Sequence, residues 1–161
     1  MGDEELSYVL TAVIARTSLL TAVTKGTATA HVVELRQGLA LVPMSAALSD
    51  EVADATAERR TDFWNLPAGF DRVLADWSKE GPVAYVESEY FGGMGEENVA
   101  VWRDGQLALG PLHLVEPEPL PAEGTPVCRA LRELGAVAGT RDDEFESVGL
   151  GEHRNTESWL T

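Results

Sequence analysis

Residues 82–109 read PVAYVESEYFGGMGEENVAVWRDGQLAL, and the pattern within this stretch decides the fold class. From Pro82 to Phe91 the side chains alternate as in a strand, where successive residues point to opposite sides. Ala84, Val86, Ser88 and Tyr90 fall on one side; Val83, Tyr85, Glu87, Glu89 and Phe91 fall on the other. The glycine loop Gly92-Gly93-Met94-Gly95 returns the chain to a second strand at Val99–Arg103. Asp104-Gly105 then supplies a two-residue type I′ turn, whose central residues both need positive φ. Counting outward from it pairs Arg103 with Gln106, Trp102 with Leu107 and Ala100 with Leu109. Three strands joined this way make an antiparallel meander.

The flanking segments supply more strands and the helices. Leu6 to Ala15 is apolar on both alternating faces, which fits a strand buried on both sides best, with a buried helix as the competing reading. His31–Arg36 and Leu39–Val42 read as two strands around a Gln37-Gly38 bend. Helices are expected over 18–25, 46–60, 68–80 and 126–135. The third has the clearest signal, because Phe70, Val73, Leu74 and Trp77 recur on one helical face. Gly81-Pro82 stops it on the expected side. Thr125 caps the last helix, with Pro126 at its first position. The expected class is α+β: a mainly antiparallel sheet of five or six strands with helices packed on one face. A Pro- and Glu-rich stretch at about 115–125 reads as an extended connector. Too little chain follows it to build a second core, so residues 1–161 are expected to form a single domain.

Composition narrows the partners. Of 161 residues, 27 are acidic and 12 basic, a formal net charge of -15, and 44% are hydrophobic, as in globular chains. A field of that sign repels phosphate backbones and anionic membranes, so neither nucleic acid nor membrane is expected as a partner. A basic protein is drawn in by the same field. The single cysteine, Cys128, has no internal disulfide partner. The opening Met1-Gly2-Asp3-Glu4-Glu5 is acidic where a secretory signal is basic. The apolar run Tyr8–Ala15 is too short to span a bilayer. A cytoplasmic location is expected.

Catalytic and cofactor patterns are weak. The Gly92–Gly95 loop is followed by Glu96 and Glu97, where a phosphate-binding loop has Lys and Ser or Thr. His31, His113 and His153 stand far apart without a nearby ligand set, so no metal site is expected, and no cofactor. Cys128 falls in the first turn of a helix, where the dipole lowers a thiol pKa; a structural cysteine is the simpler account. Glu87 and Glu89 point to the same side of a strand about 7 Å apart, a spacing that suits acid/base work. They equally suit the polar face of a half-exposed sheet. With Glu96, Glu97, Tyr85 and Phe91 they then compose an acidic, aromatic patch.

Two stretches resemble a set of small, largely uncharacterised proteins from GC-rich bacteria. One is Tyr85–Gly95 with Asn98–Gly105, where an acidic-aromatic strand leads into Gly-Gly-x-Gly and a Trp-containing strand. The other runs from Asp143-Glu144-Phe145-Glu146 through Gly149-Leu150-Gly151-Glu152-His153-Arg154 to Trp159. Glu97 departs from the pattern, where Gln is common at or near that position. Some of those proteins resemble immunity proteins, and the resemblance implies a non-catalytic inhibitor of a toxin.

The residues and the resemblance together favour an acidic protein-binding module, an immunity-type inhibitor of a basic partner. Tyr85, Glu87, Glu89, Phe91, Glu96 and Glu97 are its expected contact residues, on the loop of Gly92, Gly93 and Gly95. The alternatives are a small ligand-binding domain or enzyme using Glu87 and Glu89 beside that loop, and a structural protein. A flat acidic face favours a protein partner, whereas a concave pocket favours a ligand.

Overall fold

The computed structural model describes residues 7–91, 94–116, 119 and 122–160. Among them run six strands: β1 (Tyr8–Arg16), β2 (Val33–Glu34), β3 (Leu39–Pro43), β4 (Val83–Phe91), β5 (Met94–Arg103) and β6 (Gln106–Val115). Five α-helices accompany them: α1 (Thr17–Val23), α2 (Ala46–Val52), α3 (Phe70–Trp77), α4 (Pro126–Glu133) and α5 (Glu144–Val148). The strands form one sheet in the order β2-β3-β1-β4-β5-β6, with every neighbouring pair antiparallel. The α+β class and the antiparallel meander are therefore as expected. None of the described helices is long and apolar enough to cross a membrane.

The helices divide between both faces of the sheet, where one face had been expected to carry them. The reason lies in the strands, which are apolar on both sides and so need two covers. Leu10, Ile14, Val86, Val99 and Val101 face Val127, Leu131, Leu134, Val148 and Trp159 of α4, α5 and the C-terminal segment. This is the tail face. Val13, Val83, Tyr85 and Trp102 face Leu20, Leu48, Leu74 and Trp77 of α1, α2 and α3, with Phe63 and Leu66. This is the loop face.

Local chemistry explains the boundaries. Ser45 accepts the Leu48 N–H at 3.1 Å and starts α2. That helix ends at Val52, short of the expected residue 60, because Asp54 turns the chain: its carboxylate accepts Thr56 N–H at 2.9 Å. The strand expected over His31–Arg36 is shorter because the Arg36 amide bonds the Val148 carbonyl instead. Helix α5, unexpected from the sequence, is capped by Asp143, which accepts Glu146 N–H at 3.0 Å.

In the meander, Arg103 pairs with Gln106 and Trp102 with Leu107 as counted, but Leu109 pairs with Val101 rather than Ala100. An extra residue on β6 shifts the register, as at a β-bulge. A further shift follows at Gly110, whose φ is 90. A Cβ there would meet the Val99 carbonyl at 2.7 Å, so only glycine passes.

Beside β4, the first part of β1 extends beyond β3. The C-terminal segment covers that edge: Val9 N–H donates to the Arg154 carbonyl at 2.8 Å and Thr11 N–H to Thr156 Oγ1 at 3.0 Å. This contact brings the acidic tail against the end of the sheet where the β4–β5 hairpin turns.

Candidate functional site

The pleat of β4 and β5 sorts the six expected contact residues into three environments. Tyr85 and Glu87 lie in the loop-face interior, each 0% exposed. The Glu87 carboxylate is saturated. One oxygen accepts Trp64 N–H at 2.7 Å and the Asn98 side-chain amide at 3.3 Å; the other accepts Asn65 N–H at 2.7 Å and Tyr85 O–H at 2.8 Å. Four donors match the lone pairs of a carboxylate and make its burial tolerable. Phe63 stacks edge-on against Tyr85, ring centroids 5.2 Å apart. Glu87 therefore pins the aromatic loop to the sheet, and burial with Glu87 alongside holds the Tyr85 hydroxyl far above its usual titration range. Neither residue reaches a partner, which corrects the expectation that both contact one. The acid/base pairing of Glu87 with Glu89 fails for the same reason.

Glu89, Phe91 and Glu96 occupy the second environment, the open end of the loop face. Here Glu89 stands directly opposite Glu96, and Phe91 opposite Met94. Phe91 is 51% exposed and Met94 52%, while both glutamates are half-buried. Among the described residues the Glu89 carboxylate has no hydrogen bond or ion pair. Glu96 has only His113, with Nε2 3.7 Å away. The other imidazole nitrogen of His113 donates to Asn98 Oδ1, which links this rim to the buried Glu87.

Glu97 lies on the tail face, the third environment, and is 4% exposed. Gly95 explains how it is reached. The Tyr90 ring lies across Gly95, where a Cβ would come within 2.1 Å of it. The ring thereby delivers its hydroxyl to one Glu97 oxygen, and the other accepts Val127 N–H at 3.0 Å. Burial pushes the Glu97 carboxyl above its ordinary value against the opposing pull of these two donors. Burial, with the Glu97 charge added, also raises Tyr90 far beyond its usual range. Gly95 thus serves close packing; Gly92 and Gly93 lie outside the described residues.

Glu97 and Tyr90 open onto a cleft of about 370 Å³, which Asp143, Phe145, Glu146 and Arg154 of the tail close from the other side. The two sequence stretches singled out above, remote in the chain, meet here. Alternation alone placed Tyr90 on the tail face beside Ser88, but the tail residues owe their place to long-range contacts. Cys128 also borders the cleft, and burial raises its thiol against the opposing hydrogen bonds from Thr125 and the Phe145 backbone. It is a structural thiol, not an activated one.

Comparison with known proteins gave no matching family model, no similar characterised protein and no similar solved structure. The functional argument rests on the geometry.

Proposed function

We propose that the protein is an acidic binding module, acting in the cytoplasm, that docks a basic protein at the open end of the β4–β5 hairpin. The observation that carries this reading is the opposed pair Glu89 and Glu96 beside the exposed pair Phe91 and Met94. Like charges directly opposite one another on a sheet are destabilising. Two large apolar side chains beside them leave further surface unburied. A partner bearing Lys or Arg around an apolar spot relieves both. The formal net charge of -15 extends the attraction beyond contact and raises the rate of encounter.

Of the expected contacts, Glu89, Phe91 and Glu96 stay in this reading and Met94 joins them; Tyr85, Glu87 and Glu97 leave it. An immunity-type role is the specific form proposed: the partner is a toxin, and docking blocks it without chemistry.

The test immobilises the full chain, captures proteins from the lysate and secretome of the source organism, and repeats the binding with each purified partner. A basic partner whose affinity drops with Phe91→Ala and with Glu89→Lys supports the proposal. An acidic partner, or one indifferent to both substitutions, defeats it. The immunity role also requires that the chain suppress the partner's toxicity when the two are expressed together.

A further inference from the structure

On the tail face, on the opposite side of the same hairpin from Glu89 and Glu96, the cleft beneath α4 and the C-terminal segment has the form of a built site. Its walls carry the carboxylates of Glu97, Asp143 and Glu146 and the rings of Tyr8, Tyr90 and Phe145. The rings are held in place. Tyr8 O–H donates to the Leu150 carbonyl at 2.9 Å, and its ring meets Phe145 edge-on at 5.4 Å. Tyr90 is fixed by Glu97 and by Gly95 beneath it.

Arg154 is the one cation on the lining, set against three carboxylates, and it hydrogen-bonds the Ser7 carbonyl at 3.2 Å. The lining thus stays negative while its apolar area is aromatic.

We infer that this cleft binds a small organic cation carrying an ammonium group, with Glu97 as its principal counter-charge and Tyr8, Tyr90 and Phe145 as the walls around its apolar part. The ligand class follows from shape and charge together. Among the described residues no three His, Cys, Asp or Glu side chains converge on a point suited to a metal ion. The carboxylates instead surround a space of small-molecule size. Aromatic faces attract ammonium groups, most strongly where water is excluded. Burial disfavours an uncompensated charge on Glu97, and a cation beside it supplies the compensation. An anionic ligand meets the three carboxylates, and a neutral one leaves Glu97 without its counter-charge.

The experiment titrates the full chain with phenethylammonium and with its neutral counterpart 2-phenylethanol, followed by calorimetry and NMR. Phenethylammonium is expected to saturate at low millimolar concentration or below and to perturb Tyr90 and Phe145 signals. The alcohol should bind at least about tenfold more weakly, a difference of ~1.4 kcal/mol. Glu97→Gln should remove that preference. The exposed Glu146→Gln, which leaves the fold untouched, should weaken the amine alone several-fold. Glu89→Gln, at the other site, should change nothing.

A lysine-containing tripeptide tests the source of the ammonium: displacement of phenethylammonium supports the site and assigns it to a protein side chain, and failure to displace supports the free cation. Equal binding of amine and alcohol, no saturation, or a Glu146→Gln and Glu97→Gln pair that both retain full amine affinity overturns the inference. The hairpin-end proposal survives any of these results, because its own variants lie on the other face.

Discussion

The Glu87 carboxylate accepts the Trp64 amide N–H at 2.7 Å, so a charged residue in the middle of a strand holds a loop remote from it in sequence. The same carboxylate holds Asn65 and, through Asn98, reaches the His113 rim at the sheet end. A residue that looks like surface decoration in the strand pattern is in fact a structural anchor.

Glu87→Ala should therefore cost about 3 kcal/mol, since it leaves the buried Tyr85 hydroxyl and the buried Asn98 amide without this acceptor, each worth ~1–3 kcal/mol, and frees the part-buried Trp64 and Asn65 amides from the sheet. Glu87→Gln keeps the shape and one acceptor and should cost less. Urea denaturation gives the order. Limited proteolysis should show earlier cutting in the 59–67 loop for the alanine variant; cutting unchanged from wild type would show that the loop is held by other contacts.

The helix α3 and the cap of α4 make a matched pair. Trp77 is 8% exposed and meets Phe70 edge-on at 5.7 Å, so Trp77→Ala opens a large cavity and should cost about 3–5 kcal/mol. Thr125 accepts Cys128 N–H at 3.2 Å, and Thr125→Ala should cost about 1 kcal/mol. Denaturation midpoints that are equal for the two variants would contradict this ranking.

Much of the fold was readable because its signals are local. Alternation in β4, the Asp104-Gly105 turn, the Phe70–Trp77 stripe and the Thr125-Pro126 start all depend on near neighbours. The clamp on Glu87 was not readable, because its donors come from a loop whose position is set by packing against Tyr85. The bulges of β6 shifted Leu109 for a similar reason: an extra residue in a strand leaves little mark on the alternation around it. Helix α5 is a single capped turn within an acidic run, too short to show a periodic face. The cleft was half visible. Tyr90 is placed by strand alternation, but Glu97 precedes the expected strand start at Val99 and falls, in the expected patch, with Glu87 and Glu89. The meeting of Tyr90 and Glu97 with Phe145 and Glu146 requires the tail to fold back along β1.

The acid stability of the protein should carry the mark of Glu97. Its folded carboxyl lies above the ordinary value of 4.5, so folding favours the protonated form. The stabilisation linked to that proton is fully present below the unfolded value and is lost as pH rises through the folded one. Glu97→Gln cannot lose it. Relative to the variant, the wild type should weaken as pH climbs from about 4.5 toward neutrality. Urea midpoints measured for both proteins across that window test the sign: a wild type that gains stability relative to the variant with rising pH would mean that Tyr90 and Val127 stabilise the carboxylate more than burial penalises it.

The hairpin-end proposal makes its sharpest claim about the protein without its partner. Glu89 faces Glu96 across β4 and β5 with no cation on Glu89 among the described residues, so the free protein carries a repulsion that folding alone does not need. Glu89→Gln removes it and should stabilise the isolated chain by ~0.2–1 kcal/mol. The same substitution should weaken partner binding, chiefly by slowing association, and the slowing should fade at high salt, where surface charges are screened. Phe91→Ala should act on the other rate. It leaves the field intact but removes a side chain buried only in the complex, so dissociation should quicken by a factor corresponding to about 2 kcal/mol, with association little changed. Denaturation of the free variants and stopped-flow binding at two salt concentrations measure all of this. A Glu89→Gln protein that is less stable than wild type would place the glutamate pair among the supports of the fold, and the case for a basic partner at this surface would fall with it.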